Sequence, residues 1–162
     1  MKITCKNISK SYQSSSEIMG RDVLQDISFT LDSGDSISIS GPSGVGKSTL
    51  LNIISGLDDA NNGEVYFDNL CFSNFKTTRK TEFRLQNISL IFQSFNLLKD
   101  FSVLENITLP LIYRGLSKKD ARKDALSALD NVDLINFKSS SISTLSGGEA
   151  QRVGIARALA MK

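Results

Sequence analysis

Histidine and tryptophan are absent from the 162 residues, and proline and cysteine are scarce, with two of each. The two cysteines, Cys5 and Cys71, stand apart in strand-like stretches, which favours reduced thiols over a disulfide. No apolar run approaches the roughly 20 residues that a membrane-spanning helix needs. The first residues alternate between apolar and polar instead of forming an apolar block, so no signal peptide is predicted.

The overall composition is that of an ordinary globular protein. Hydrophobic residues make up 40% of the chain and charged residues 22%, and the length suits one domain. The net charge of +2 neither demands nor excludes a nucleic-acid or anionic-membrane partner. Composition therefore leaves the function open.

Residues 41–49 match the P-loop pattern G-x-x-x-x-G-K-[ST] in full. An apolar alternating run at 36–40 predicts a strand before the loop, and residues 50–57 predict a helix after it, which is the context the motif requires. Glycines allow successive N–H groups to point at phosphate oxygens, a lysine adds charge for the β- and γ-phosphates, and Ser48 can ligate Mg²⁺. The predicted nucleotide-binding residues here are Gly41, Ser43, Gly44, Gly46, Lys47, Ser48 and Thr49.

The remaining periodicity predicts a β-rich first half and an α-rich second half. Further strands are predicted at 1–8, 21–31, 64–68 and 88–92, and helices at 77–86, 102–113, 117–132 and from 145 onward. Gly115 is predicted to end the helix at 102–113. Residues 13–17 form a polar stretch without periodicity and are predicted to be a mobile loop.

Four features then stand in a distinctive order: Tyr12, the P-loop, Gln93 at the end of an apolar run, and Leu-Ser-Gly-Gly-Glu at 145–149 opening a helix. This order, together with the continuation Ala-Gln-Arg-Val-Gly-Ile-Ala-Arg-Ala-Leu at 150–159, resembles the ATP-binding subunit of ABC transporters over the whole chain. The stretch 95–115 is similar to the lipoprotein-release and macrolide-export branch.

The resemblance implies an α/β fold of the P-loop NTPase type, with an antiparallel β subdomain and a helical subdomain. It divides the chain into a β-rich P-loop core at 1–93, a helical subdomain at 94–144 and a signature helix at 145–162. It also implies ATP and Mg²⁺ as cofactors.

The resemblance assigns roles to two residues outside the P-loop. Tyr12 matches the aromatic residue that stacks on adenine, although a surface or packing tyrosine is the alternative. Gln93 matches the glutamine that reaches the Mg²⁺ and the attacking water, although an ordinary amide at a strand end is the alternative. Ser48 and Gln93 are accordingly the expected contacts to the metal.

The signature residues Ser146, Gly147, Gly148 and Glu149 match the loop that faces the γ-phosphate bound by the other subunit. A serine hydroxyl and glycine N–H groups at a helix N-terminus suit an anion. The alternative is a plain helix cap with a glycine turn. Glu149 stands where many family members have glutamine.

The resemblance also implies partners and a location. Phe95, Leu97 and Leu98 match the region that docks a transmembrane permease subunit, and core packing is the equal alternative. A second ABC ATPase subunit, identical or different, is expected, whereas nucleic acid is not. The expected place is the cytoplasmic, inner face of the cell membrane, where ATP binding and hydrolysis drive export across the membrane or extraction from it.

Two parts of the family pattern are not found among these residues. No apolar run ends in Asp-Glu, the pair that supplies the metal ligand and the base in the family, and the histidine that touches the γ-phosphate is missing. We therefore expect a chain truncated at its C-terminus that binds ATP, hydrolyses it poorly or not at all by itself, and leaves a sheet edge exposed. The alternatives are a non-transport ABC protein acting on DNA or ribosomes, and a non-functional fragment.

Overall fold

The computed structural model describes residues 1–12 and 21–161. The predicted mobile loop at 13–17 lies outside the described residues. The chain forms two compact units, Met1–Arg84 and Leu85–Lys162. The predicted subdivision into 1–93, 94–144 and 145–162 stays a prediction.

The first unit is built on one antiparallel sheet. Its strands are β1 (Ile3–Tyr12), β2 (Arg21–Leu31), β3 (Asn62–Phe67) and β4 (Leu70–Cys71), in the spatial order β2-β1-β3-β4. The first three match the strands predicted at 1–8, 21–31 and 64–68, and the predicted antiparallel subdomain is confirmed. β4 is two residues long, too short to carry a period-two signal.

The strands predicted at 36–40 and 88–92 are wrong for this structure, because neither segment forms a strand. Both segments have the expected apolar pattern, but a strand exists through its hydrogen-bonded ladder, and no ladder reaches them within the described residues. The consequence is exposure of apolar side chains: Ile37 is 49% exposed and Ile91 is 56% exposed.

The core of the first unit lies between the sheet and two helices. Helix α1 (Lys47–Ile54) buries Leu50 and Ile53. Helix α2 (Thr77–Asn87) begins in this unit and contributes Phe83 to a cluster of aromatic rings. The rings of this cluster lie 4.9–6.0 Å apart, mostly edge to face or tilted, as aromatic pairs prefer; its members are Phe67, Phe72, Phe75 and Phe83. Phe72 is the first residue of a short 3-10 helix, Phe72–Asn74.

The second unit is a helical bundle. Its helices are α3 (Val103–Tyr113), α4 (Lys118–Asp130) and α5 (Gly147–Ala160), joined in part by 3-10 helices at Ile135–Phe137 and Ile142–Thr144. Each long helix begins after a serine whose side chain accepts a hydrogen bond from a first-turn N–H; these caps are Ser102, Ser117 and Ser146. Gly115 has a φ of 106° just beyond the end of α3 and accounts for the stop predicted from sequence.

The helices of this unit share one apolar core. Its fully buried members include Val103, Ile107, Leu129, Leu134 and Val153. Small alanines on α4, Ala121, Ala125 and Ala128, allow α3 and α5 to approach it closely. No helix in the described parts of the chain is long and apolar enough to cross a membrane.

Two glycines of the first unit allow the destabilisation caused by a left-handed backbone to be measured apart from that caused by a steric clash. Gly34 has a φ of +95° and a Cβ there would meet nothing within 4 Å, whereas at Gly63, with a φ of +90°, a Cβ would lie 2.3 Å from Asn7 O. We expect Gly34→Ala to lower the free energy of unfolding by about 1 kcal/mol. Gly63→Ala should lose about 1–3 kcal/mol more, because backbone atoms must move. Urea unfolding followed by circular dichroism measures both, and equal losses would contradict the packing assigned to Gly63.

Candidate functional site

The P-loop is shaped by glycines in the left-handed region of the backbone. Gly41, Gly44 and Gly46 have φ values of 148°, 79° and 104°. Gly46 also lies against β2, since a Cβ there would meet both Cγ1 and O of Val23 at 2.8 Å. Only glycine satisfies both requirements at once, so the spacing in the motif follows from the fold and not from the ligand alone.

The loop gathers hydrogen-bond donors at the start of α1. Gly46 is the N-cap and offers no side-chain cap, so the first N–H groups of α1 have no side-chain acceptor. The Lys47 ammonium folds back over the loop and donates to Gly41 O and Pro42 O, at 2.8 Å each. Ser43 and Ser48 are exposed beside it. N–H groups, hydroxyls, a cation and a helix N-terminus together suit a polyphosphate.

The metal expected with a nucleotide fits these residues only in part. Ser48 is an exposed hydroxyl at the right place in the motif. The described residues contain no group of three or more acidic, cysteine or histidine side chains that could hold a metal. Mg²⁺ commonly takes few protein ligands and completes its shell with phosphate oxygens and water. A hydroxyl beside bound phosphates therefore fits the ion, whereas a site made of protein ligands alone does not.

Tyr12 ends β1 in the same unit as the P-loop, paired with Arg21 of β2. Tyr12 is 45% exposed. Its hydroxyl donates to Asp58 Oδ2 at 2.6 Å. Tyr12 therefore lies in the same compact unit as the P-loop, bound to the residue Asp58 that follows α1, and its stacking on adenine stays a prediction.

Gln93 lies in the second unit, at the start of an exposed turn. The next residues have an uncommon backbone: Phe95 and Asn96 adopt φ values of 60° and 45°. Their carbonyl groups accept hydrogen bonds from the guanidinium of Arg157 on α5, at 2.6 Å from Nη2 to Phe95 O and 2.8 Å from Nη1 to Asn96 O. Burial lowers the pKa of Arg157. A fork of charged donors on α5 therefore stabilises two consecutive left-handed residues after Gln93.

A second polar side chain holds the far end of this post-Gln93 loop (residues 94–98). Asn106, on α3, is 2% exposed and has partners on both ends of its amide. Its Oδ1 accepts from Leu98 N at 2.7 Å, and its Nδ2 donates to the carbonyl groups of Leu98, Phe101 and Ser102.

The apolar residues of the loop divide between the two predicted roles. Leu97 is partly buried against the core of the helical unit, whereas Leu98 is exposed. Phe95 is intermediate. Core packing therefore accounts for Leu97, and docking remains a prediction for Leu98 and Phe95.

The signature loop (residues 145–149) forms the N-terminal cap of α5. Ser146 Oγ and Ser146 N both donate to Glu149 Oε2 at 2.7 Å, and Glu149 N donates to Ser146 Oγ at 3.4 Å. This is a complete capping box. The hydrogen bond from the Ser146 hydroxyl, followed by that from its N–H, holds the pKa of Glu149 below its ordinary value. The serine predicted to meet a phosphate thus already holds a carboxylate of its own chain.

Gly147 and Gly148 have no steric reason within the chain to be glycine. A Cβ at either position would meet nothing within 4 Å, and neither has a positive φ. Glycine at these positions leaves the N–H groups at the start of α5 open to an outside partner. A plain helix cap accounts for the contacts of Ser146, and the role of the two glycines toward a partner stays a prediction.

Sequence reasoning missed three residues that shape the site: Asp58, Arg157 and Asn106. A signal existed for Asn106, because it is a polar residue on the apolar face of α3. The sequence contains no such signal for Arg157 or Asp58, because their partners lie 61 and 46 residues away.

A P-loop on one compact unit and a Ser-Gly-Gly helix cap on the other define a nucleotide-binding protein of the P-loop class. A family model described as ABC transporter matches residues 24–162. The chain therefore belongs to the ABC transporter family, as an ATP-binding domain.

The most similar sequences include two kinds of relative. The lipoprotein-releasing system ATP-binding protein LolD of Pseudoalteromonas translucida is 42% identical over 160 residues, covering 99% of this chain and 68% of the relative. The uncharacterized ABC transporter ATP-binding protein MJ0796 of Methanocaldococcus jannaschii is 43% identical over 162 residues, with 98% and 68% covered. This chain thus spans about two thirds of the length of these relatives.

Solved structures support membership of this family. The dimeric structure of MJ0796, a bacterial ABC transporter cassette, superposes with a TM-score of 0.90 at 41% identity and covers 98% of this chain and 69% of its own. A post-hydrolysis state of MJ0796 bound to ADP and Pi also has a TM-score of 0.90, at 40% identity. The predicted ABC ATPase fold is confirmed.

The two arginines of α5 allow the contact to the post-Gln93 loop to be tested. We expect Arg157→Met to speed amide hydrogen exchange in residues 94–98, because it removes two charged hydrogen bonds, each contributing about 2 kcal/mol. Arg152→Met, at an exposed position on the same helix, is the matched control. Mass spectrometry of peptides that span the loop measures the effect. Equal exchange in both variants would show that Arg157 does not hold the loop.

Proposed function

We propose that this chain is the nucleotide-binding subunit of a transporter that uses ATP to extract lipoproteins from a membrane or export a substrate across it. The observation that carries the proposal is the P-loop: left-handed glycines packed on β2, with Lys47 folded over an uncapped helix N-terminus. Similarity to LolD at 42% identity supports the lipoprotein-release branch. Membrane extraction is thus the more specific form of the proposal.

The P-loop would hold the phosphates of ATP, with Lys47 moving from the carbonyl groups of Gly41 and Pro42 to the β- and γ-phosphates. A bound Mg²⁺ would neutralise phosphate charge, with Ser48 as a ligand, and the predicted contact of Gln93 to the metal remains a prediction. Tyr12 would stack on the adenine ring. The MJ0796 structure with ADP and Pi supports a phosphate site of this kind in the family.

A second ABC ATPase subunit, identical or different, would complete the site. Ser146 and the N–H groups of Gly147 and Gly148 would face the γ-phosphate bound by that partner, and Glu149 would have to release Ser146 for this contact. The open space around both glycines supports the proposal, since nothing in their own chain requires glycine there. MJ0796 is dimeric in its solved structure.

A membrane permease would dock on the post-Gln93 loop. Leu98 and Phe101 are exposed apolar side chains on and just after this loop, whose backbone is held by Arg157 and Asn106. A rigid loop with exposed apolar side chains suits a protein partner better than a mobile loop does, because less conformational freedom is lost on binding. The chain would then work at the cytoplasmic face of the cell membrane. A nucleic-acid partner is not part of this proposal.

Removing the P-loop cation should weaken ATP binding. We expect Lys47→Ala to raise the Kd for MgATP by at least about tenfold, because a charge-assisted contact to phosphate contributes about 1.5–3 kcal/mol. Lys76→Ala removes an exposed lysine of the same unit and should leave the Kd unchanged. Equilibrium dialysis measures both, and equal ATP retention by the Lys47 variant and the parent would refute the role of Lys47.

Comparing variants of two similar serine caps distinguishes a role of Ser146 in folding from a role toward a partner. Ser102 and Ser146 head the same capping box with a glutamate at the third helical position. We expect Ser102→Ala and Ser146→Ala each to lower the free energy of unfolding by about 1 kcal/mol. Only Ser146→Ala should also lose the ability to complete a partner's site.

The partner test uses a full-length relative whose own signature serine has been substituted, so that only this chain supplies an intact one. Phosphate release by the relative should rise when the parent chain or the Ser102→Ala variant is added, and not with Ser146→Ala. The chain alone provides the baseline. Stimulation by Ser146→Ala equal to that by the parent would contradict the proposed contact.

A further inference from the structure

Tyr12 is anchored at its hydroxyl by a residue that no motif includes. Asp58 follows α1 and lies 46 residues from Tyr12 in sequence, yet its Oδ2 accepts the phenol proton at 2.6 Å. A side chain held at its far end by a short hydrogen bond to a carboxylate loses much of its rotational freedom.

The other oxygen of Asp58 is used as well. Lys10 Nζ donates to Asp58 Oδ1 at 2.7 Å and to Asp59 O at 2.6 Å. The same ammonium lies 4.9 Å from the centroid of the Tyr12 ring, within the range of a cation–π contact. The Lys10 side chain is only 11% exposed, so its ammonium is largely shielded from water and does not move freely.

Charge balance explains why a carboxylate is tolerated beside a phosphate site. Burial by itself raises the pKa of Asp58, but the hydrogen bonds from Lys10, Tyr12 and Asp59 N outweigh it and leave the pKa below its ordinary value. The hydrogen bond to Asp58 is also the main reason that the pKa of Tyr12 is raised. At neutral pH, Asp58 is therefore ionised, Tyr12 is a neutral donor, and the Lys10 charge offsets the carboxylate.

The three side chains form a tyrosine clamp, defined as Lys10, Tyr12 and Asp58. The Lys10 ammonium lies over the ring, and Tyr12 nevertheless stays 45% exposed. We propose that Asp58, supported by Lys10, is a positioning residue that holds the Tyr12 ring ready to stack on the base of a nucleotide whose phosphates lie in the P-loop. This inference rests on the proposed function and adds to it the residue that sets how much the base contributes to affinity.

The proposal separates binding of the base from binding of the phosphates. Asp58→Ala frees the Tyr12 ring, and ordering one such side chain on binding costs roughly a three- to tenfold loss of affinity. We therefore expect the Kd for MgATP to rise about fivefold. The Kd for magnesium tripolyphosphate, which has no base, should stay within about twofold of the parent value. Unchanged tripolyphosphate binding also shows that the P-loop of the variant is folded.

A double-variant cycle shows whether Asp58 acts through Tyr12. Tyr12→Phe keeps the ring and removes the hydroxyl, so it should weaken ATP as much as Asp58→Ala does. The double variant should be no weaker than either single one, because both remove the same hydrogen bond. Asp32→Asn is the matched control, since Asp32 forms an exposed pair with Lys2 in the same unit. Isothermal titration calorimetry measures every Kd.

Two results would overturn the proposal. Equal losses of ATP and tripolyphosphate affinity in Asp58→Ala would show a general electrostatic or folding effect. Additive losses in the double variant would show that Asp58 does not act through Tyr12.

Failure of the proposed function gives a different result. The chain has no tryptophan, so Tyr12→Trp introduces a single indole. Its fluorescence should change on adding MgATP and not on adding tripolyphosphate if residue 12 stacks on the base. If neither this signal nor any loss of ATP affinity in Tyr12→Ala is seen, Tyr12 does not read adenine, and the base-stacking part of the proposed function falls with the clamp. If both are seen but Asp58→Ala binds ATP like the parent, only the positioning role of Asp58 is wrong.

Discussion

The close approach of Gly46 to β2 is the constraint on which the first unit depends. A side chain at this position would collide with Val23, and its φ of 104° excludes most residues independently. Because Gly46 is also the N-cap of α1, this contact places the start of the helix against the sheet. The positions of the P-loop donors, of Thr49 and of Asp58 beyond the helix all follow from it. The glycines of the motif thus serve packing and phosphate geometry with the same atoms.

The second unit relies on polar side chains instead of glycines. Arg157 and Asn106 hold the post-Gln93 loop from two different helices, and both form their hydrogen bonds with backbone carbonyl or N–H groups. Since a hydrogen bond to the backbone does not depend on which side chains the loop carries, the surface of the loop is free to suit a partner. The long helices around it start from serine caps, which set their first turns independently of the shared core.

Local patterns predicted most of the elements correctly. β2 begins and ends where the alternation does, α3 and α4 each begin one residue after the predicted starts at 102 and 117, and Gly115 follows the end of α3. The failures at 36–40 and 88–92 share one cause: an apolar pattern reports that a segment suits a sheet, but pairing is a property of two segments.

What the sequence alone determined is the chemistry of the motifs: the P-loop, the signature loop and their order identify an ABC ATP-binding domain, because each is a contiguous run whose backbone and side chains act locally. The tertiary structure decided which distant side chains support those motifs. Asp58 meets Tyr12, and Arg157 meets Phe95, only after the chain folds, so no spacing rule could pair them. The capping box between Ser146 and Glu149 is local, because the two residues stand three apart at the start of one helix, so it belongs with what the sequence determined. Local sequence specifies what a group can bind, and packing specifies what stands beside it.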